Sequence, residues 1–234
     1  MRVFRGRAPT IAADREVVAA ILDRTAETGA AGLRVWRPHR QLAFGRRDTR
    51  ADDYDVAERV ARSCDFEPVQ RSVGGRAVAY TGTTVAFARA TPLEDMRVGM
   101  DERYEDVTRA VQRALWRLGV PATRGEPDES FCPGDYSLQR NGKIVGVAQR
   151  VRKNAALVSG VVVVDDHEEI RGVLDPVYAA LDVPFDPDSV GSIANAGGRA
   201  DPDRVVRTVE ELLAGDQETE IVDLEDEHEA AAED

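Results

Sequence analysis

Lysine is nearly missing from this chain: of 31 basic residues only Lys143 and Lys153 are lysines, and the other 29 are arginines. Histidine is almost as scarce, with His39, His167 and His228, and cysteine is limited to Cys64 and Cys132. Two cysteines make no multi-bridge framework, and neither they nor the scattered histidines have metal-ligand spacing, so no metal site is expected. A papain-like thiol–imidazole pair would need His39 or His167 to reach Cys132 by folding. Long apolar runs are absent as well. Nothing approaches the roughly 20 residues of a membrane span, and Met-Arg-Val-Phe-Arg-Gly does not lead into a signal-peptide core, so a cytoplasmic protein without membrane association is expected.

The net charge of −12 is unevenly placed. Residues 216–234 hold 10 acids and no Lys or Arg, whereas residues 1–215 carry 33 acids against 31 bases. This predicts a nearly neutral body over 1–215 and an acidic, disordered, solvated tail over 216–234. With no basic stripe, nucleic acid is excluded as the main partner.

The 42% hydrophobic content suffices for a substantial core. Val17, Val18, Ile21 and Leu22, closed by Gly29, predict a helix over 14–28, and Val56, Ala57, Val60 and Ala61 a second ending near Cys64. Strands are predicted at 33–36 and 42–44, and at 77–80 and 83–90 joined by a Thr81-Gly82 hairpin. Val107, Val111, Leu115 and Leu118 mark a helix over 104–118 with Gly119 as its stop. Asn141-Gly142 is a strong hairpin signal between strands at 135–140 and 143–151. The valine run at 157–164 reads as a buried strand, and Asp201-Pro202 opens a last helix through Leu213. Helices and strand pairs interleave without βαβ regularity, which predicts an α+β fold with a mixed, mostly antiparallel sheet packed on helices.

Against this background a retained lysine points to chemistry, since an amine can be tuned by burial in a way a guanidinium cannot. Lys143 lies in Asn141-Gly142-Lys143-Ile144-Val145-Gly146-Val147-Ala148-Gln149-Arg150. Upstream stand Glu129-Ser130-Phe131-Cys132-Pro133-Gly134-Asp135-Tyr136 and Arg71-Ser72-Val73-Gly74-Gly75-Arg76-Ala77-Val78. Adjacent glycines let backbone N–H groups approach anionic oxygens, although a structural turn would use the same residues. Pro133-Gly134 argues that Cys132 sits in a loop.

Taken in order, the three strings resemble the lipoate-protein ligase, octanoyltransferase and biotin-protein ligase superfamily. The Cys-Pro-Gly-Asp-Tyr run and the lysine string resemble most the amidotransferase branch that moves octanoyl or lipoyl groups between carrier proteins. The resemblance covers roughly 1–215 and implies a biotin/lipoate ligase-like catalytic domain. It implies Cys132 as nucleophile, with Lys143 supplying the cation beside the thiolate and relaying a proton. It further implies an acyl-binding surface of Arg71, Ser72, Gly74, Gly75, Arg76, Ala77, Tyr80, Gly146 and Gln149. Two departures stand out: Val73 intervenes between Ser72 and the glycines, and Tyr80 stands where many relatives have histidine.

The implied partners are glycine-cleavage H protein and the lipoyl domains of oxo-acid dehydrogenases, with an octanoyl or lipoyl group as cargo, a monomeric enzyme and no cofactor. The alternative is an ATP-dependent lipoate-protein ligase using ATP and Mg to form lipoyl-adenylate, with Cys132 incidental; a non-catalytic carrier-binding module is a third reading. One geometric obstacle is expected. At ~3.3 Å per residue, a strand over 135–140 would carry Cys132 more than about 10 Å from the Lys143 amine. The pair could then meet only through a looser hairpin or a loop over 124–134 that folds across as a lid.

Overall fold

The computed structural model describes residues 1–71 and 75–224. In chain order these form β1 (Arg2–Arg5), α1 (Ile11–Thr28), β2 (Gly32–Trp36), β3 (Gln41–Phe44), α2 (Tyr54–Ser63), β4 (Glu67–Gln70), β5 (Val78–Tyr80) and β6 (Val85–Pro92). They continue with α3 (Met100–Arg117), β7 (Thr123–Arg124), β8 (Leu138–Gln139), β9 (Lys143–Arg152), β10 (Ala155–Val162), α4 (His167–Ala180), α5 (Pro202–Ala214) and β11 (Glu220–Asp223). A large sheet runs β11-β1-β2-β6-β10-β9-β8-β7, and a small one runs β4-β3-β5. Pairing is antiparallel except at β1 with β2, β1 with β11 and β3 with β4. The fold is therefore the expected α+β arrangement.

Helices α3 and α5 pack together on one face of the large sheet, where Val111 and Leu115 of α3 share a core with Leu33, Val35 and Phe87 of the strands. Helix α1 covers the other face with Ile21 and Leu22. It is held at its ends by Thr10, whose hydroxyl accepts from Ala13 N, and by Gly29 in the left-handed conformation. Helices α2 and α4 cover the small sheet. Among the described residues no helix is long and apolar enough to cross a membrane.

Under α1 the strand pairing places residues in rows. Ala86, Val161 and Gly146 form one row across β6, β10 and β9, and Ala88, Ser159 and Ala148 form the next. Because side chains two apart share a face, these mostly small residues make a shallow floor that α1 cannot fill. A cavity of about 540 Å³ lies there, bounded by α1, the large sheet and the small sheet.

One wall contains a fully buried ion pair. Arg34 Nη2 donates to Asp14 Oδ1 at 2.6 Å and to Gly6 O at 3.1 Å, and the guanidinium lies 4.4 Å from the Trp36 ring. Burial pulls the Arg34 pKa below its ordinary value, against the support of Asp14. Removing one partner strands the other charge, so Arg34→Met is expected to cost about 3–5 kcal/mol in urea unfolding.

Two expectations change. Strands β5 and β6 are not a hairpin: β5 pairs with β3, whereas β6 pairs with β2 and β10. The Thr81–Thr84 segment carries the chain from one sheet to the other, closed by Thr81 N donating to Thr84 Oγ1 at 2.9 Å. The body does not end at residue 215, because Glu220–Asp223 pair in parallel with Arg2–Arg5. Isoleucine and valine inside the acidic run give it enough apolar surface for an edge strand, with Val222 buried. Residues 225–234 of the expected tail lie outside the described residues. Helix α4, in a segment for which the sequence predicts no element, forms despite Gly172 and Pro176. Ile170, Val173, Leu174, Val177 and Tyr178 hold a buried stripe that outweighs the hydrogen bond proline gives up.

Candidate active site

The Asn141-Gly142 hairpin is present, with both residues at positive φ and Arg140 N donating to Gly142 O at 2.9 Å. Its first strand is only Leu138–Gln139. Before it the chain doubles back, with Ser137 N on Gly134 O and Gly125 N on Ser137 O. The expected separation of Cys132 from Lys143 therefore does not arise. Lys143 Nζ donates to the carbonyls of Phe131 and Cys132, both at 2.9 Å, and to Glu126 Oε1 and Oε2 at 2.8 and 3.1 Å.

The Lys143 side chain is 0% exposed. Burial pulls its pKa below the ordinary amine range, and Glu126 opposes that pull. A charged amine is tolerable there because all its hydrogens have acceptors and a carboxylate faces it.

Cys132 sits at φ +43°, a left-handed conformation costly for a residue with a side chain. Its N–H donates to Tyr178 Oη at 2.8 Å, and Tyr178 donates in turn to Ala77 O at 3.0 Å. Its sulfur accepts from Arg71 Nη2 at 3.1 Å and Arg76 N at 3.4 Å. The cation on the sulfur is thus Arg71, where Lys143 had been expected; the lysine holds the same residue from its carbonyl side. Burial works against the Arg71 charge, yet the facing Cys132 and Tyr80 groups and the hydrogen bond to the sulfur hold its pKa above the ordinary arginine value.

The glycine loop explains itself at two positions. Gly75 has φ +91°, and a Cβ there would lie 2.7 Å from the Cys132 sulfur. A Cβ at Gly45, at the end of β3, would lie 2.1 Å from Gly75 O. Only glycine at both lets β3, the loop and the thiol meet. Arg76 is anchored by buried Asp48 at 3.2 Å, and Asp48 also accepts from Gly45 N at 2.9 Å. Burial raises the Asp48 pKa despite those two donors.

Of the residues expected at the site, Arg71, Tyr80, Cys132, Lys143 and Gly146 line the cavity. Gly75 and the Arg76 N–H meet the sulfur, and Ala77 contributes its carbonyl to Tyr178. Ser72 and Gly74 lie outside the described residues. Gln149 does not belong to the group: its side chain accepts from Arg103 Nε at 2.7 Å and donates to Met100 O at 3.3 Å, tying β9 to α3. It is one residue out of step with Gly146 and Ala148, so the strand pleat turns it to the opposite face. Among the described residues no imidazole reaches the thiol: His39 bonds Ala8 O and His167 bonds Ser192 Oγ. His228 lies outside the described residues.

The sequence reading missed Glu126 and Tyr178. Glu126 had a signal, because a lysine buried near an Asn-Gly turn requires a carboxylate close by. Tyr178 had none, since its helix was not recognised. Tyr178→Phe is expected to leave the Cys132 N–H and the Ala77 carbonyl unpaired, lowering stability by about 1–3 kcal/mol in denaturant unfolding.

A thiol in a strained turn, hydrogen-bonded to an arginine and lining a cavity beside a buried lysine, has the parts for nucleophilic chemistry. Residues 10–213 match the family model of the lipoyl protein ligase A/B catalytic domain, and the chain belongs to that family. Within it, the chain is similar to the octanoyl-[GcvH]:protein N-octanoyltransferases. It is 31% identical to that of Exiguobacterium sibiricum over 53% of this chain and 45% of that protein. It is 27% identical to that of Oceanobacillus iheyensis over 80% and 72%. The matched region spans about half the length of several of these curated relatives. Among solved structures, lipoate-protein ligase A bound with ATP superposes with a TM-score of 0.70 at 20% identity, covering 99% of this chain and 92% of that one. The lipoic-acid-bound putative lipoate protein ligase of Thermoplasma acidophilum gives 0.60 at 20%, covering 99% and 93%. These two likenesses establish the shared fold.

Proposed function

We propose that this chain transfers an octanoyl or lipoyl group between lysines of lipoyl-carrier proteins through a thioester on Cys132. The observation that carries this reading is the Cys132 sulfur on the cavity wall, 3.1 Å from the Arg71 guanidinium. The thiolate is the reactive form of a cysteine, and the Arg71 guanidinium stands where it would pair with that anion.

The thiolate attacks the carbonyl carbon of the donor's acyl-lysine amide. A C–S bond forms, the C–N bond breaks, and the donor lysine leaves as an amine after gaining a proton. The acceptor lysine then attacks the thioester, its nitrogen gives up a proton, and the thiolate returns. One amide is exchanged for another, so no nucleotide is consumed. The Arg76 N–H, already directed at the sulfur, is a donor within reach of the oxyanion formed at the attacked carbon.

The floor of small residues under α1 receives the acyl chain. Glycine-cleavage H protein is the proposed donor, as in the relatives' names, and lipoyl domains of oxo-acid dehydrogenases the acceptors. The reduced thiol suits the cytoplasm. An ATP-dependent ligase would use the same cavity, with Cys132 idle. Mixing the protein with octanoylated H protein and a free lipoyl domain, with nucleotide removed, separates the two. Octanoylation of the lipoyl domain supports the transfer scheme, and strict dependence on ATP and Mg rejects it.

A further inference from the structure

An ammonium group has three hydrogens to donate. In Lys143 all three are engaged, with Glu126, with Phe131 O and with Cys132 O. Every acceptor belongs to one stretch of chain, 126–132. Glu126 is also the acceptor for both sides of the thiol's turn: Ser130 Oγ donates to Oε1, and Gly134 N donates to Oε2 at 3.2 Å. Carboxylate and amine together therefore bind the segment before Cys132, Cys132 itself and the segment after it. The strained φ of Cys132 needs such external hold, because the turn has no regular secondary structure to maintain it.

We propose that Glu126 is a positioning residue of the reaction: it fastens the Lys143 ammonium and the 130–134 turn into one hydrogen-bonded hub, and that hub presents the Cys132 sulfur to the cavity. The proposal rests on the acyl-transfer reading and adds a residue to it. One consequence concerns the amine. With no hydrogen free, Lys143 can pass a proton to a leaving lysine only when one of its bonds to the hub breaks, so the hub must loosen during each turnover.

The groups that set the Lys143 charge are Glu126, Cys132 and Arg71, with the Phe131 ring centroid 5.0 Å from Nζ. Burial and Arg71 work against the charge, and Glu126 is the main group in its favour. Neutralising Glu126 should therefore release the lysine's proton at lower pH.

The chain's two lysines make this directly measurable, since protein labelled with 13C-lysine gives two Cε resonances. Lys153, exposed in the β9–β10 turn, is assigned by Lys153→Arg. In Glu126→Gln the Lys143 midpoint is expected to fall by about one pH unit or more, with Lys153 unmoved. Nucleotide-free transfer is expected to fall about tenfold or more, and Glu126→Asp to recover part of both effects. An unchanged Lys143 midpoint in Glu126→Gln, or full transfer activity in it, overturns the proposal. If Glu126→Gln does not fold, Glu126→Asp decides: a Lys143 midpoint and a turnover both equal to wild type overturn it, and a shift in both supports it. Wild-type protein that transfers no acyl group rejects the functional reading by itself, whatever the resonances show.

Discussion

Cys132→Ala is expected to lose nucleotide-free transfer between carriers by about a thousandfold or more while keeping cooperative unfolding. The size follows from the chemistry. An amide is attacked slowly by water, and the described side chains that line the cavity near Arg71 offer no second thiol; Cys64, the other cysteine, packs with the small sheet's core. Without Cys132 the reaction would need direct attack by the acceptor amine, which gains proximity but no activated intermediate. The fold should tolerate the change, because the backbone bonds of residue 132 to Tyr178 and Lys143 do not involve the sulfur. Cys132→Ser is expected to fail nearly as completely, since a hydroxyl beside Arg71 is far less ionised than a thiol.

The second large effect is expected at Lys143. Lys143→Met preserves length and apolar volume but takes the ammonium donor from the Phe131 and Cys132 carbonyls and leaves Glu126 without its cation. The lost hydrogen bonds should cost about 1–3 kcal/mol in urea unfolding, because the orphaned groups are largely buried. Transfer should fall about a hundredfold or more, through loss of the proton relay and of the thiol's seat. Lys143→Arg should not rescue it. The slot is fully enclosed and its acceptors surround a point charge, a geometry that a planar fork does not match. Wild-type rates in Lys143→Arg would remove the lysine from the chemistry.

Much of this site was readable before folding, for specific reasons. Lys143 was conspicuous because arginine replaces lysine almost everywhere else, and Pro133-Gly134 placed Cys132 in a loop. Helices α1, α3 and α5 carry their caps and stripes in local sequence. Most of the failures share a physical cause, which is that partners distant in sequence decide the outcome. The Thr81-Gly82 turn looked like a hairpin, but whether two strands pair depends on which sheets offer them an edge, and β3 and β10 claimed β5 and β6 separately. The separation of thiol and amine is smaller than a strand over 135–140 implies, because Ser137 N turns back to Gly134 O. The sequence points to Lys143 as the sulfur's cation because it is the nearest informative residue. Arg71, which stands 61 positions before Cys132, takes that place because it directly follows β4 and its N–H is held by Phe44 O of β3. Tyr178 was hidden by Gly172 and Pro176, residues that end helices unless a buried face holds them.

The most direct test is peptide-resolved mass spectrometry of the protein quenched in acid shortly after mixing with octanoylated H protein in nucleotide-free buffer. An octanoyl mass on the peptide containing Cys132, lost on adding an unmodified lipoyl domain and never formed in Cys132→Ala, is the predicted result. Acyl transfer that proceeds while Cys132 stays unmodified, or an acyl group that appears only with ATP, would contradict the thioester on which the scheme depends.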